Sequence, residues 1–485
     1  MTASATERVA VGAQQPSRTR SVTYVCFFLR FTEPGAVTVP GTPGRDPAGH
    51  DPGGAWGRER AHLLLDTDPW RRPHLPGTSL AGALREMVRE ADGEDAADEL
   101  FGRLLEAGSG GTEVDARASL IWVLGSRPAD AAGAEAAEVP AGVRASTAIS
   151  RQRAAAEANT LRVEELLPAG SRFEVFLRWD DPPADPLDRF LQLLAAWRPL
   201  IGRGVSRGRG RCETGHVRHG TLRLDDPADL HRWLTASGTA LARAVATTEV
   251  VPAIPVRERR PLLRVTLRIV GPLRVGSGEP PEQAGAQGQQ VAPMFRVGDR
   301  YVIPGAGLKG LLRSRAEYIL RSVGVTPPPC PDQRCGRCWT CEVFGFGGGD
   351  DVSAPSVGAR ALIRVVDAVV SDAAAVRRQH VAIDRFTGGA RDGLLYTVDA
   401  LESGNFEVRV EPLAGALADD RVTQIRAVLR LVLEDLDDGI AGVGAGVARG
   451  YGSVTVGLGD AEARGDLPGG QAARQELTRM LAEER

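Results

Sequence analysis

Two stretches of this chain nearly repeat one another: HLPGTSLAGALREMVRE beginning at His74 and YVIPGAGLKGLLRSRAEYI beginning at Tyr301. In each, a short apolar run meets Pro-Gly, two small residues follow, and Leu-x-Gly-x-Leu-Arg opens what reads as a helix. The prolines Pro76 and Pro304 lie 228 residues apart. Two further pairs follow in the same order: AISR ending at Arg151 with AIDR ending at Arg385, and GRGVSRGRGR from Gly202 with GVGAGVARGYG from Gly442. One such match could arise by chance in a chain with 58 glycines; three in register, at slowly growing offsets, indicate tandem duplication.

Each copy therefore has about 200 residues, enough for one domain, which suits a chain of 485 residues. The expected organisation is a disordered N-terminus over 1–20, a first domain over 21–247, a linker over 248–262, a second domain over 263–462 and a helical tail over 463–485. Within the copies, YVCFFLRF near Tyr24, LIWVL from Leu120, LRVTLRIV from Leu263 and FEVRVEPL from Phe406 read as strands. LQLLAAW before Pro199, IRAVLRLVLEDL from Ile425 and QAARQELTRMLAEE read as helices. This mixture predicts an α+β sandwich, with helices on one face of an antiparallel sheet in each copy.

A formal net charge of -3 argues against a protein that coats nucleic acid indiscriminately, but leaves room for local basic grooves. Nothing approaches the ~18 apolar residues of a membrane span. No secretion signal is evident, so the cytoplasm is the expected location, and the cysteines are expected to be reduced there.

On a helix starting after Pro304, Leu308 and Leu312 share the core face, while Lys309 and Arg313 share a neighbouring one. Lys309 is the only lysine in the chain. In the first copy Leu80, Leu84 and Val88 form the apolar stripe, and Arg85 and Arg89 the basic one. Gly82 and Gly310 each cost the helix roughly 1 kcal/mol, a penalty expected where a backbone approaches closely. The free amides of the first turn favour an anion, for which a phosphate backbone is a natural guest; solvated arginines on an amphipathic helix are the plainer alternative. The loop GRGVSRGRGR brings Arg203, Arg207, Arg209 and Arg211 together. Its counterpart retains Arg449 beside Tyr451, which could stack on a base. Neither loop has a dinucleotide or P-loop fingerprint, and a plain glycine-rich hairpin is the alternative.

The segment CPDQRCGRCWTC places Cys330, Cys335, Cys338 and Cys341 within a dozen residues, a spacing that can close a tetrahedral shell around Zn2+ and staple a loop. An iron–sulfur cluster is the alternative. The first copy has ELFG from Glu99 where the second has EVFG from Glu342, but no cysteines, so the metal is expected to be structural. Catalytic signatures are thin. The histidines are scattered, with His216 and His219 read as surface residues. No nucleophile elbow or zincin helix occurs, and Asp384 is expected to hold Arg385 in place.

The ordered series IPGAGLKGLLRS, the cysteine cluster ending in VFG, AIDRFTGGARDGLLYTVDAL and GVGAGVARGYGSV resembles the successive motifs of the RAMP superfamily, specifically backbone subunits of type III CRISPR effector complexes. LPGTSLAGALRE, AISRQRAAAEANTLRVEELL and LIGRGVSRGRGRC resemble a second, more divergent set, as in tandem subunits of type III-D-like complexes. The resemblance implies two modified ferredoxin-like (RRM-like) domains, the second with a zinc-binding cysteine insertion. It also implies CRISPR guide RNA, complementary target RNA and other type III effector subunits as partners. Ser79, Arg85, Arg151, Arg207, Arg209, Lys309, Arg313, Arg385 and Arg449 are then expected at the guide. Target cleavage in the family uses an aspartate before the Pro-Gly motif with Mg2+ or Mn2+. The second copy has Val291 or Ala292 there, whereas the first offers Asp46 and Asp51 nearby. A guide-processing endonuclease of the same superfamily, using His74, and an iron–sulfur redox protein are the competing readings.

Overall fold

The computed structural model describes residues 20–38, 63–103, 117–130, 133, 136, 141–150, 155–157, 160–256, 259–278, 282–283, 290–329, 335–347, 358–413, 415 and 417–483. Asp46, Asp51, Arg151 and Cys330 lie outside the described residues.

The first copy runs β1 (Ser21–Phe31), α1 (Gly77–Asp92), α2 (Glu94–Phe101), β2 (Ile121–Ala129), β3 (Gly142–Ser146), β4 (Ile149–Ser150), β5 (Ala155–Ala156), β6 (Arg162–Leu166), β7 (Arg172–Asp180), α3 (Ala184–Ala195), β8 (Cys212–Arg223), α4 (Pro227–Thr235), α5 (Gly238–Val245) and β9 (Thr248–Glu249). The second continues with β10 (Leu263–Ile269), β11 (Glu282–Gln283), β12 (Gln290–Ala292), β13 (Arg296–Val297), β14 (Arg300–Ile303), α6 (Gly305–Val323), α7 (Trp339–Phe344), β15 (Ile363–Val365), β16 (Ala368–Val369), β17 (Ser371–Ile383) and β18 (Ala390–Pro412). It ends with α8 (Asp419–Asp437), β19 (Val454–Val456), α9 (Leu458–Ala463) and α10 (Gly470–Glu483).

The first sheet is antiparallel in the order β2-β7-β1-β8-β9. Its central strand β1 is covered on both sides, which explains its nearly unbroken apolar sequence. Val25, Phe27, Leu29 and Phe31 join a core with Leu80 and Leu84 of α1 and Leu194 of α3. Val22, Tyr24 and Cys26 pack with Leu241 and Ala242 of α5. In the second copy β10 lies between β18 and β19 and buries only alternate residues, Leu263, Val265, Leu267 and Ile269. Leu308, Leu312 and Leu320 of α6, Val428 and Leu433 of α8, and Leu477 of α10 close that core. Each copy is thus helices on an antiparallel sheet, apart from the short parallel pair β12–β18, but in the first copy the helices take both faces, α1 and α3 one and α5 the other, rather than the single face expected.

Backbone hydrogen bonds repeat with the duplication. Ile201 N–H donates to Gly210 O at 2.8 Å and Val443 N–H to Gly452 O at 2.9 Å. Gly210 N–H reaches Pro34 O at 2.9 Å, and Gly452 N–H reaches Pro272 O at 2.7 Å. These pairs align Glu33 with Gly271, Arg211 with Ser453, and Arg207 with Arg449. The shared Leu-Ile-x-Val at Leu120 and Leu362 aligns Trp122 with Arg364.

Two local expectations change. LIWVL is not a fully buried strand: Ile121 is buried, but Trp122 is 59% exposed, because β2 is the edge of its sheet. Gly82 and Gly310 have nothing near the position a Cβ would take, so close approach does not explain them. The tight glycine is Gly305, whose added Cβ would lie 2.2 Å from Val365 O.

Candidate anion-binding interface

The two copies meet where the glycine-arginine turn of the first enters the helix start of the second. Gly208, at φ +81°, lets the turn lie against β15; an added Cβ would be 2.7 Å from the Asp367 amide nitrogen. Arg364, fully buried on β15, donates to Val205 O at 3.1 Å, to Glu411 at 3.2 Å and also to Glu33. Arg211 bonds Glu33 at 3.2 Å and also Glu411, which lies 2.6 Å from Arg409. Removing so many charges from water is tolerable because each carboxylate faces more than one guanidinium.

Beside this cluster, Asp367 accepts from Gly305 N–H at 2.7 Å and from Arg144 of the first copy at 3.0 Å. The expectation that the first-turn amides of α6 are open to an outside anion is therefore corrected at its first amide: the protein supplies that anion itself. Three expected cations are also committed internally. Arg313 is buried and bonds Glu317 at 2.8 Å and Gly345 O at 2.5 Å. Arg85 is held by Glu94 and by Asp98, the latter at 2.5 Å, and Arg209 is buried against Glu164. For Arg313 the acidic neighbour is Glu317, one helical turn on along α6; for Arg85 and Arg209 it lies on another element, which helical spacing does not show. Ser79 is half-buried on α1.

Lys309 and Arg207 differ. Both are half-buried, and neither forms an ion pair or side-chain hydrogen bond among the described residues. Burial, then the charges of Arg313 and Arg207, push the Lys309 ammonium down to about 7. Burial likewise lowers Arg207. The seam therefore presents two adjacent cations, one from each copy, whose cost an incoming anion would relieve. The first copy has Ala81 in place of Lys309, so the pair occurs at the internal junction alone.

These placements sit within a matched family pattern. The RAMP superfamily model matches residues 53–213 and 266–455, more than half of the chain and once in each copy. The chain belongs to the RAMP superfamily. A solved structure entitled "Type III-B Cmr-beta Cryo-EM structure of the Apo state" is similar at 12% identity and TM-score 0.29, covering 40% of this chain and 96% of that one. Comparison with curated proteins yields no match.

The second RAMP copy carries a long hairpin, β17–β18, with Phe386 at its tip, 86% exposed. Asp384 does not hold Arg385 as expected. Its carboxylate accepts from the Phe386 and Thr387 amides, both at 2.9 Å, bonds that also lower its proton affinity. Arg385 instead lies over the Phe386 ring, 5.2 Å from its centroid. On the turn-proximal half of the hairpin, Arg449 donates to Tyr396 Oη at 2.9 Å, and His380 stacks on Tyr396 at 5.2 Å. Tyr451 is buried and hydrogen-bonded to His380 at 2.8 Å, so it is not the exposed stacking ring that its position suggests; Tyr396 is the more accessible ring.

The sulfurs of Cys335, Cys338 and Cys341 lie within 4.8 Å of one another, and Arg313 Nη2 lies 3.5 Å from Cys341 Sγ. Cys338 N–H donates to Cys335 Sγ at 3.3 Å. Gathered sulfurs with donors aimed at two of them suit thiolate ligation of a metal. Cys26 and Cys212 are buried, and burial pushes the Cys26 thiol up to about 12. Among the described residues the acidic group near His74 Nδ1 is Asp66, at 3.8 Å, and His216 is exposed near Glu249. Sequence reasoning missed Glu33, Arg144, Arg364, Asp367 and Glu411. A charge difference between aligned copies, such as Glu33 against Gly271, was the available signal. No described helix is long and apolar enough to cross a membrane.

Proposed function

We propose that this chain is a backbone subunit of a type III CRISPR effector complex, binding guide RNA along the seam between its RAMP copies and positioning complementary target RNA. The observation that carries the reading is the Lys309–Arg207 pair, two desolvated cations in no ion pair among the described residues, with the Glu164 charge acting on Arg207 from a distance. A phosphate entering between them regains Coulomb energy in a low-dielectric site. Arg385 and Arg449, both exposed, extend the cationic surface onto the second copy. Phe386 is a wedge of suitable exposure for separating target nucleotides. Other type III effector subunits are the protein partners, and the cytoplasm is the compartment of such a complex.

The cysteine cluster is proposed as a structural Zn2+ site, held by Cys335, Cys338, Cys341 and, from sequence, Cys330. Bound there, the metal would fix the α7 loop against α6 through Arg313. The proposed task is binding and positioning. Cutting of target RNA with Mg2+ or Mn2+ at Asp46 or Asp51 would be an added task of the first copy.

The test is the nucleic acid that accompanies the full-length protein when it is produced with its effector complex. Short protected RNA of uniform 5′ sequence is expected, crosslinking near Lys309. RNA-free complex, or crosslinks confined to sites away from both Lys309 and Arg207, would sink the reading.

A further inference from the structure

A cavity of about 480 Å³ opens on the first sheet, lined by Phe28, Arg30, Arg172, Glu213, His216 and Arg218 among others. Strand pairing explains the convergence: Arg30 stands opposite Arg172 of β7 and Glu213 of β8, so the three occupy one row across the sheet. Phe28, two residues earlier on β1, occupies the next row of the same face.

The pairing of β1 with β8 shifts between Cys26 and Phe28, and His216 lies at this irregularity with φ +47°, a conformation uncommon outside glycine. Bulges of this kind re-aim side chains. Here the imidazole stands edge-on to Phe28, with centroids 6.4 Å apart and an interplanar angle of 89°. Arg30 donates to Glu213 at 2.6 Å. Arg218 reaches Glu174 at 3.2 Å with one terminal nitrogen, while its Nε is buried without a hydrogen-bond partner among the described residues. The lining thus combines three guanidinium groups, one carboxylate and an aromatic face. In the second copy Thr266 replaces Phe28, and β19 ends at Val456, so that sheet has no equivalent.

We infer that this cavity is a nucleotide-binding site of the first copy. The base packs against Phe28 and His216, Arg172 and Arg218 hold the phosphate, and Glu213 accepts from a ribose hydroxyl or base amino group. The volume falls within the ~300–1,000 Å³ of small-molecule sites. Arginines alone would suit any anion; the aromatic face and the carboxylate select a planar, donor-bearing one. The ligand is either a free nucleotide or one nucleotide of an RNA strand.

Calorimetry on the full-length protein with AMP, GMP, CMP, UMP and inorganic phosphate addresses the first source. Crosslinking of a 4-thiouridine-labelled single-stranded RNA addresses the second. A mononucleotide at least tenfold tighter than phosphate, weakened at least tenfold by Arg172→Gln or Phe28→Ala, supports a free-nucleotide site. Crosslinks at Phe28 or His216 that Arg172→Gln abolishes support a strand site. Phosphate equal to every mononucleotide without such crosslinks, or neither binding nor crosslinking, overturns the inference. Arg172→Gln keeps the test valid if Phe28→Ala fails to fold. These variants leave Lys309 and Arg207 in place, so loss at the cavity is read separately from loss at the seam.

Discussion

Arg364 of the second copy and Glu33 of the first, 331 residues apart in sequence, are joined as a guanidinium–carboxylate pair in the interior of the junction. Around them the cluster holds Glu33 and Glu411 against Arg211, Arg364 and Arg409, an excess of one positive charge. Glu411→Gln would raise that excess and leave buried guanidinium groups facing one another, whereas Arg364→Gln would neutralise it. Glu411→Gln is therefore expected to cost roughly 3–5 kcal/mol and to be the more destabilising of the two. Denaturant unfolding of both variants checks the order; equal losses would mean that packing, not charge balance, dominates the junction.

At the neighbouring cation pair, Lys309→Ala and Arg207→Ala should each weaken guide RNA binding about tenfold at low salt. For single-stranded RNA, each cation removed from a phosphate should reduce the log–log salt slope by ~0.7. Arg313→Ala should behave differently: Glu317 would be left buried without its guanidinium, so stability falls before any binding effect is read. A titration series across salt concentrations distinguishes the two patterns.

The depressed Lys309 pKa sets a pH dependence with a definite sign. Between about 7 and its ordinary value near 10.5, the unfolded chain holds a proton that the folded protein does not, so this group makes stability rise with pH across that window. Guide affinity runs the other way. A bound phosphate favours the ammonium, binding takes up a proton, and affinity should decline as pH rises above about 7. The decline should vanish in Lys309→Arg, measured by fluorescence anisotropy from pH 6 to pH 9.

Metal removal should loosen the loop between α6 and α7. Chelation, or Cys338→Ser, is expected to lower the melting temperature by several degrees and release about one Zn2+ per chain. The native protein should be colourless; a visible charge-transfer band would point to iron instead.

The apolar architecture was legible because periodicity reports directly on burial. The stripe Leu308, Leu312 and the alternation of β10 appear in the structure as the spacing predicts. The basic stripe was not equally legible. Arg313 and Lys309 share adjacent faces, yet Glu317 and Gly345 take one of them inward while the other remains without a partner among the described residues. Glu317, one turn after Arg313, was a visible candidate, but for Arg85 and Arg209 the counter-charge lies on other elements, which charge alone does not locate. The edge position of β2 was similarly hidden, since periodicity reveals strands but not their order, and Trp122 emerges at that edge.

Because Glu33 and Arg364 belong to one polypeptide, the contact between the copies does not depend on encounter from solution. Tethering gives such a contact an effective concentration that dilution cannot reduce. The chain thereby carries one neighbour already seated, at a fixed step and in a fixed ratio, however scarce its other partners become.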